Sequence, residues 1–290
     1  MRKFSCWSRV PPPLTSDLHK TQMRKKIITL LTDFGTKDGY VGAVKGVIKR
    51  ISPQAEIVDV THDIDSYDVL GAAFALNSFY RYFPKGTIHL AVVDPGVGSL
   101  RQPILIKTKD FFFVGPDNGI FSFIYQREDI TDIIVISNKI YFLAEPSSTF
   151  HARDIFAPVA AYLSLGIKTD EFGSPAKECV KFTLPQPESK GKSLKGEIIH
   201  IDRFGNLITN IPADLLENKK KTEIIVGKRR IKGVSRSYFE IKETCSERSE
   251  SKGLGTLIGS SDFLELAVNQ GSAQTLLKAK VGDRIRIDFE

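Results

Sequence analysis

Residues 26–62 read KIITLLTDFGTKDGYVGAVKGVIKRISPQAEIVDVTH, and the change of hydrophobic period within them decides the fold. Residues 27–32 are a short apolar run that breaks at Asp33-Phe34-Gly35. From Tyr40 onward the apolar residues fall at Val41, Val44, Val47, Ile48 and Ile51, the spacing of an amphipathic helix, and Pro53 stops it. Residues 55–60 form a second apolar run leading into Thr61-His62. Further along, Asp68 can cap a helix over 69–83 with the stripe Val69, Ala73, Leu76, Tyr80 and Phe83, and Pro84-Lys85-Gly86 ends it. Residues 87–93 then read as a third strand. A strand-helix-strand-helix-strand run with short connections predicts a largely parallel sheet in a layered α/β domain. Asp33 and Asp94 fall at the carboxyl ends of the first and third strands, and His62 lies just beyond the second. In an open α/β sheet ligands bind at that edge.

The third strand runs into Val92-Val-Asp-Pro-Gly-Val-Gly-Ser-Leu-Arg101, where Pro95, Gly96 and Gly98 forbid regular structure. Seven residues beyond Asp94, Arg101 can fold back over so glycine-rich a turn and set a guanidinium against the carboxylate. The local sequence equally allows an Asp that caps its own turn and a solvated Arg.

Beyond Arg101, strands are expected over 103–108 and 111–114, then a turn at Gly115-Pro116-Asp117-Asn118-Gly119, and strands near 133–136 and 140–143. In Ser148-Thr149-Phe150-His151-Ala152-Arg153-Asp154, Asp154 reads as the N-cap of a helix over 155–165 closed by Gly166, with His151 just ahead of the helix N-terminus. There the dipole favours a neutral imidazole. Pro185, Pro187, Ser189, Gly191 and Ser193 mark residues 183–195 as a linker. Short, turn-separated strands follow at 196–201, 207–211, 222–226, 263–268 and 284–289, predicting a mostly β, barrel-like second domain, with 242–252 an exposed loop. The expected organisation is an N-terminal extension over 1–25, an α/β domain over 26–182, the linker, and a β domain over 196–290.

Bulk composition narrows the class. A chain of 290 residues with 41% hydrophobic and 26% charged residues is globular, and no run reaches the length of a membrane-spanning helix. Of the net charge of +7, six charges sit in residues 1–26, where seven basic residues face the single acid Asp17. The remaining body is near neutral, against a nucleic-acid partner. The three cysteines, Cys6, Cys179 and Cys245, are far apart and in no Cys-x-x-Cys spacing, which fits a reducing cytoplasm. Residues 1–22 carry no apolar core of signal-peptide length; they read as a disordered extension, a transit-like segment, or a start placed too early.

Motifs for dinucleotides, P-loops, nucleophile elbows and zinc helices fail on spacing. What remains at loop positions is Asp33, His62, Asp94, Asp117, His151 and Asp154. This set suits a metal-dependent hydrolase, and equally a metal-free site in which Asp94, Arg101 and His151 hold a water. His89 and His200 lie within strands and read as packed or surface histidines. In the second domain, Asp202-Arg203-Phe204-Gly205-Asn206 and Gly259-Ser260-Ser261-Asp262 interrupt apolar strands, and Glu265 is an acid inside an apolar run. Both stretches fit a polar, base-stacking site or plain β-turn chemistry.

With these residues in hand, the chain resembles the S-adenosyl-L-methionine hydroxide adenosyltransferases, relatives of the fluorinase and chlorinase. The matching pieces are Leu31-Thr-Asp-Phe-Gly35, Asp59-Val-Thr-His62, Phe83-Pro-Lys-Gly-Thr87, Val93-Asp-Pro-Gly-Val-Gly98, Pro116-Asp-Asn-Gly119, Phe150-His-Ala-Arg-Asp154, Asp202-Arg-Phe-Gly-Asn206 and Leu264-Glu-Leu-Ala-Val-Asn269, in order. The resemblance implies an α/β domain followed by a β-barrel, a homotrimer with sites between neighbouring subunits, and hydrolysis of S-adenosyl-L-methionine to adenosine and L-methionine with no metal and no cofactor. It further implies Asp94, Arg101 and His151 as the water-activating set and Asp33 as the acceptor for the ribose hydroxyls. Tyr67 would stack on the substrate, Asp202 and Ser260 would meet the methionine end, and Phe204 and Asn206 the adenine side. Glu265 and Val268 are fainter matches. Where halogenating relatives carry Tyr and Ser, this chain has Asp94 and Ala152, and a carboxylate there repels a halide and suits water. Ser261 stands where the fluorinase has Arg, a departure in the methionine contacts.

Overall fold

The computed structural model describes residues 26–183, 185–217, 219, 222–243 and 253–289. The N-terminal extension expected over 1–25 and most of the 242–252 loop lie outside these residues. The chain divides into two compact units between Phe182 and Thr183.

In the first unit, β1 (Ile27–Thr32), α1 (Tyr40–Ile51), β2 (Glu56–Thr61), α2 (Val69–Phe79) and β3 (Ile88–Val92) follow in the expected order. They are succeeded by β4 (Pro103–Thr108), β5 (Phe112–Pro116), α3 (Ser122–Arg127), β6 (Ile130–Ile136), α4 (Ala157–Ser164) and β7 (Gly173–Pro175). The sheet runs β2-β1-β3-β5-β4-β6-β7. Its first four strands are parallel, whereas β4, β6 and β7 pair antiparallel with their neighbours.

Both faces of the centre of this sheet are covered, which is why β1 and β3 read as continuous apolar runs. Ile28, Leu30, Leu90 and Val114 pack beneath Val44, Val47 and Ile48 of α1 and Val159 and Ala160 of α4. The alternate residues Leu31, Ala91, Ile104 and Phe113 turn to Ala72 and Leu76 of α2 and Ile124 of α3. His89 is buried among the rings of Tyr80, Phe111 and Phe113, with Nδ1 2.9 Å from Thr29 Oγ1. Burial pushes this imidazole down to about 3, so it packs as a neutral aromatic.

Two expectations for this unit change. Residues 140–143 are no strand: Lys139–Tyr141 make a 3₁₀ turn, because Tyr141 packs its ring against Tyr162 and Phe172. Asp154 is no N-cap either. A π-helical turn, Ala152–Phe156, starts at His151 and leads directly into α4, placing Asp154 inside it.

The second unit holds β8 (Glu188–Lys190), β9 (Ser193–Ile201), β10 (Leu207–Pro212), β11 (Thr222–Val226), β12 (Arg229–Lys232), α5 (Tyr238–Glu243), β13 (Leu254–Ile258), β14 (Phe263–Val268), α6 (Ala273–Leu277) and β15 (Arg284–Phe289). The strand order is β12-β11-β15-β9-β10-β14-β13, with β8 paired to β9 and all ladders antiparallel. The chain leaving β12 bends toward β13. There Ser235 N–H donates to the Thr256 carbonyl at 2.7 Å and the Thr256 hydroxyl to the Gly233 carbonyl at 2.7 Å, bringing the sheet close to a closed barrel. Ile198, Leu207, Ile224, Leu264, Leu266 and Ile287 fill its interior. The stretch 183–195, expected as a linker, contributes β8 and the start of β9. Its glycine serves a hairpin, Gly191 taking φ +59° between the paired strands.

Candidate active site

The carboxyl ends of β1 and β3 and the N-terminus of the π-turn meet at a cavity of about 250 Å³ lined by Asp33, Phe34, Tyr40, Tyr67, Asp94, Phe150, His151 and Ala152, among others. Beyond β3 the chain leaves regular structure at once, with Val97 N–H donating to the Asp94 carbonyl at 3.2 Å and Ser99 N–H to the Gly96 carbonyl at 3.0 Å. Asn118 pins the strand end from the side, its Nδ2 donating to the Val93 carbonyl at 2.8 Å. Asp117 N–H reaches the Gln102 carbonyl at 2.8 Å, so the Pro116-Asp117-Asn118-Gly119 turn braces both ends of the loop.

Arg101 folds back as a fork on Asp94. Nε donates to Oδ1 at 2.9 Å and Nη2 to Oδ2 at 2.5 Å. The pair is nearly dry, with side-chain exposures of 9% for Arg101 and 6% for Asp94, and the guanidinium stacks 5.2 Å from the Phe156 ring centre. The same Nη2 lies 2.7 Å from His151 Nδ1. A guanidinium has donors only, so Nδ1 must be the accepting lone pair, and the neutral ring carries its proton on Nε2. Burial and the Arg101 charge both depress the His151 pKa, against the opposing pull of Asp94 and Asp154. Asp94 and His151 line the cavity while Arg101 joins them from behind.

The two loops that deliver these groups also approach each other at a point that tolerates only glycine. Gly98 adopts φ +78°, and a Cβ there would stand 2.4 Å from the Ser148 carbonyl oxygen. On the other loop, Asp154 is 1% exposed; its carboxylate accepts Ser147 N–H at 2.8 Å and is forked by Arg153 Nε at 2.6 Å and Nη2 at 3.0 Å. Burial alone would raise its pKa, but Arg153 and Ser147 outweigh that and hold the carboxyl low. We expect Gly98→Ala to cost about 1–3 kcal/mol through left-handed strain and backbone clash, and to lower turnover by separating the loops. Denaturant midpoints and steady-state rates on one preparation check both effects.

Asp33 also faces the cavity, where Oδ2 accepts Tyr67 N–H at 3.0 Å. Tyr67 sits at φ +70° and is 72% exposed, a strained and solvent-facing aromatic. Phe34, Tyr40 and Phe150, which the sequence did not single out as a group, form an edge-to-face wall with centroids 5.2–6.1 Å apart. The remaining acids and histidine have structural partners. Asp117 is buried on Val180 N–H at 2.9 Å, and His62 is held by Thr32 at 2.8 Å. Among the described residues, no cluster of three His, Cys, Asp or Glu side chains is arranged to hold a metal ion.

The second unit gathers its own polar set. Asp202 Oδ1 accepts the backbone N–H groups of Phe204 and Asn206, both at 2.9 Å, and Oδ2 accepts Asn206 Nδ2 at 2.9 Å. The loop thereby buries Asn206 and leaves Phe204 exposed. Ser260 is exposed in the turn between β13 and β14, and Val268 ends β14. Glu265 is buried in β14, with Oε1 accepting the Tyr238 hydroxyl at 2.5 Å; burial and the nearby Asp202 push its carboxyl up. Tyr238, from α5, was not expected here, and its position after a turn-rich stretch gave no period to flag it.

Residues 28–173 match the SAM hydroxide adenosyltransferase N-terminal domain family, and residues 196–286 match the corresponding C-terminal domain family. The chain is 38% identical over 268 residues to a Methanocaldococcus jannaschii protein named (R)-S-adenosyl-L-methionine hydrolase, spanning 91% of this chain and 96% of that one. It is 25% identical to a fluorinase of Actinopolyspora mzabensis, over 91% of this chain and 97% of that one. A Thermotoga maritima crystal structure, described as an uncharacterized conserved protein, superposes with a TM-score of 0.81 at 38% identity, covering 90% of this chain and 99% of that one. The chain therefore belongs to the SAM hydroxide adenosyltransferase family.

Proposed function

We propose that this protein hydrolyses S-adenosyl-L-methionine to adenosine and L-methionine by in-line attack of water on the 5′ carbon. The observation that carries the reading is the convergence of Asp94, Arg101 and His151 beside one cavity. The C5′–S bond breaks with its electron pair on sulfur, so methionine leaves as a neutral thioether and needs no general acid. Water is the weak partner, and the site addresses it. Asp94 still has a lone pair on each oxygen after the Arg101 fork and accepts a water proton. His151 donates Nε2–H to the same oxygen and keeps a lone pair of the water on the 5′ carbon. The balance is one water consumed and one proton released per turnover, with no cofactor and no metal in any step. Asp33 takes the ribose hydroxyls and Tyr67 stacks on the substrate.

In this reading Asp202 and Ser260 serve the methionine end and Phe204 and Asn206 the adenine end, with Glu265 and Val268 as further substrate contacts. They meet the water-activating set in a homotrimer, where the second unit of one subunit faces the first unit of a neighbour. The location is cytoplasmic, in keeping with the cysteine usage; among the described residues no helix is long and apolar enough to cross a membrane.

Incubation with S-adenosyl-L-methionine in excess chelator should give adenosine and methionine in equal yield. Tight binding with no products over many hours would overturn the reading, and activity abolished by chelator would overturn its metal-free form.

The His151 assignment fixes a pH dependence. Its folded pKa lies below the ordinary 6.5, so the neutral ring persists at neutral pH and is lost only as pH falls through the depressed value. A protonated ring would turn Nδ1–H against the Arg101 donors. The acid limb of kcat/KM is expected to be centred below pH 6.5. An acid limb centred above that value would contradict the depressed pKa of His151.

A further inference from the structure

The Asp59-Val-Thr-His62 motif has no part in the water-activating set, yet it is wired to the site. Thr32, the last residue of β1, is buried, and its Oγ1 accepts Phe34 N–H at 3.3 Å. The same hydroxyl lies 2.8 Å from Nδ1 of His62, whose residue exposure is 6%. A hydroxyl has one hydrogen and two lone pairs, so the Thr32 oxygen accepts from Phe34 and still pairs with His62 Nδ1 in either ring tautomer. The other ring nitrogen, Nε2, is buried 3.1 Å from Asp59 Oδ1 without the alignment of a hydrogen bond, and Asp59 Oδ2 is bound by Lys45 of α1. The His62 carbonyl accepts Gly35 N–H at 2.7 Å. His62 therefore braces the turn Asp33-Phe34-Gly35 twice, through its ring on the Thr32 hydroxyl that holds Phe34 and through its carbonyl on Gly35.

We propose that Asp59, His62 and Thr32 form a relay that fixes the aim of the Asp33 carboxylate, making His62 a positioning residue for recognition of a vicinal diol on the ligand. The chain of contacts crosses from edge strand β2 to β1 and ends one residue on either side of Asp33. Asp33 is otherwise held by Tyr67 N–H at 3.0 Å, from a residue in a strained backbone region. A carboxylate that must accept two hydroxyls at once needs its plane set, and the relay supplies the fixed side. The inference rests on the assignment of Asp33 to the ribose hydroxyls.

The test is calorimetric binding of adenosine and 2′-deoxyadenosine to the full-length protein, with His62→Ala, Asp33→Ala and the double variant. The relay predicts that His62→Ala weakens adenosine about tenfold and 2′-deoxyadenosine less than about twofold. It also predicts that His62→Ala adds nothing in the Asp33→Ala background. Equal losses for the two ligands, or losses that multiply in the double variant, would overturn the relay alone. Asp33→Ala with undiminished preference for adenosine would instead overturn the diol assignment beneath it. Should His62→Ala fail to fold, Asp59→Asn at a 41% exposed side chain is expected to lower the preference about two- to threefold, and no change in preference would overturn the relay.

Discussion

Asp94→Asn is expected to lower kcat by roughly 10³-fold while changing the affinity for adenosine less than about threefold. Asn fills the space of Asp and still accepts one guanidinium hydrogen, so the cavity keeps its shape. It cannot take a proton from water, and its amide hydrogens now face a donor-only guanidinium. The loss therefore falls on the step in which a proton moves rather than on binding. Steady-state kinetics together with calorimetric adenosine binding separate the two. A variant that keeps more than about a tenth of wild-type kcat would remove Asp94 from the role of base.

Arg101→Met is the second large effect, and it reads out first as stability. The Asp94–Arg101 pair is almost solvent-free, and removing one partner of such a pair leaves an uncompensated buried charge, at about 3–5 kcal/mol. The variant also frees His151 Nδ1, so the fixed tautomer is lost and kcat falls with stability. Arg101→Lys separates these consequences: it restores the charge but not the planar fork that holds Asp94 and His151 together. We expect Lys to recover much of the denaturant midpoint and little of kcat. Equal recovery of both would mean that charge alone suffices and that the geometry of the fork has no catalytic part.

The α/β layering could be read directly, because the change from a continuous apolar run at 27–32 to period 3.6 from Tyr40 is local and the central strands β1 and β3 are buried on both faces. The same locality placed Asp33 and Asp94 at the sheet edge. Features that depend on distant partners were not legible. The π-turn at Ala152–Phe156 has no periodic signature. It displaced the expected cap at Asp154 because Ser147 and Arg153 claim that carboxylate inside the turn. Whether Arg101 bends back on Asp94 or stays solvated could not be told locally, because the same guanidinium is held by His151, fifty residues further along. The pairing of Tyr238 with Glu265 joins α5 to β14 across a stretch of turns and charges. In the linker, turn-forming composition was real but served a hairpin, since composition marks a reversal without saying whether strands flank it.

A crystal structure with adenosine bound tests the central claim most directly, because the product's 5′-oxygen is the attacking water after transfer. The account predicts that oxygen within about 3 Å of an Asp94 carboxylate oxygen and of His151 Nε2, with Asp33 on the ribose hydroxyls. A 5′-oxygen outside hydrogen-bond reach of both side chains, or a cation seated on Asp94, would contradict it.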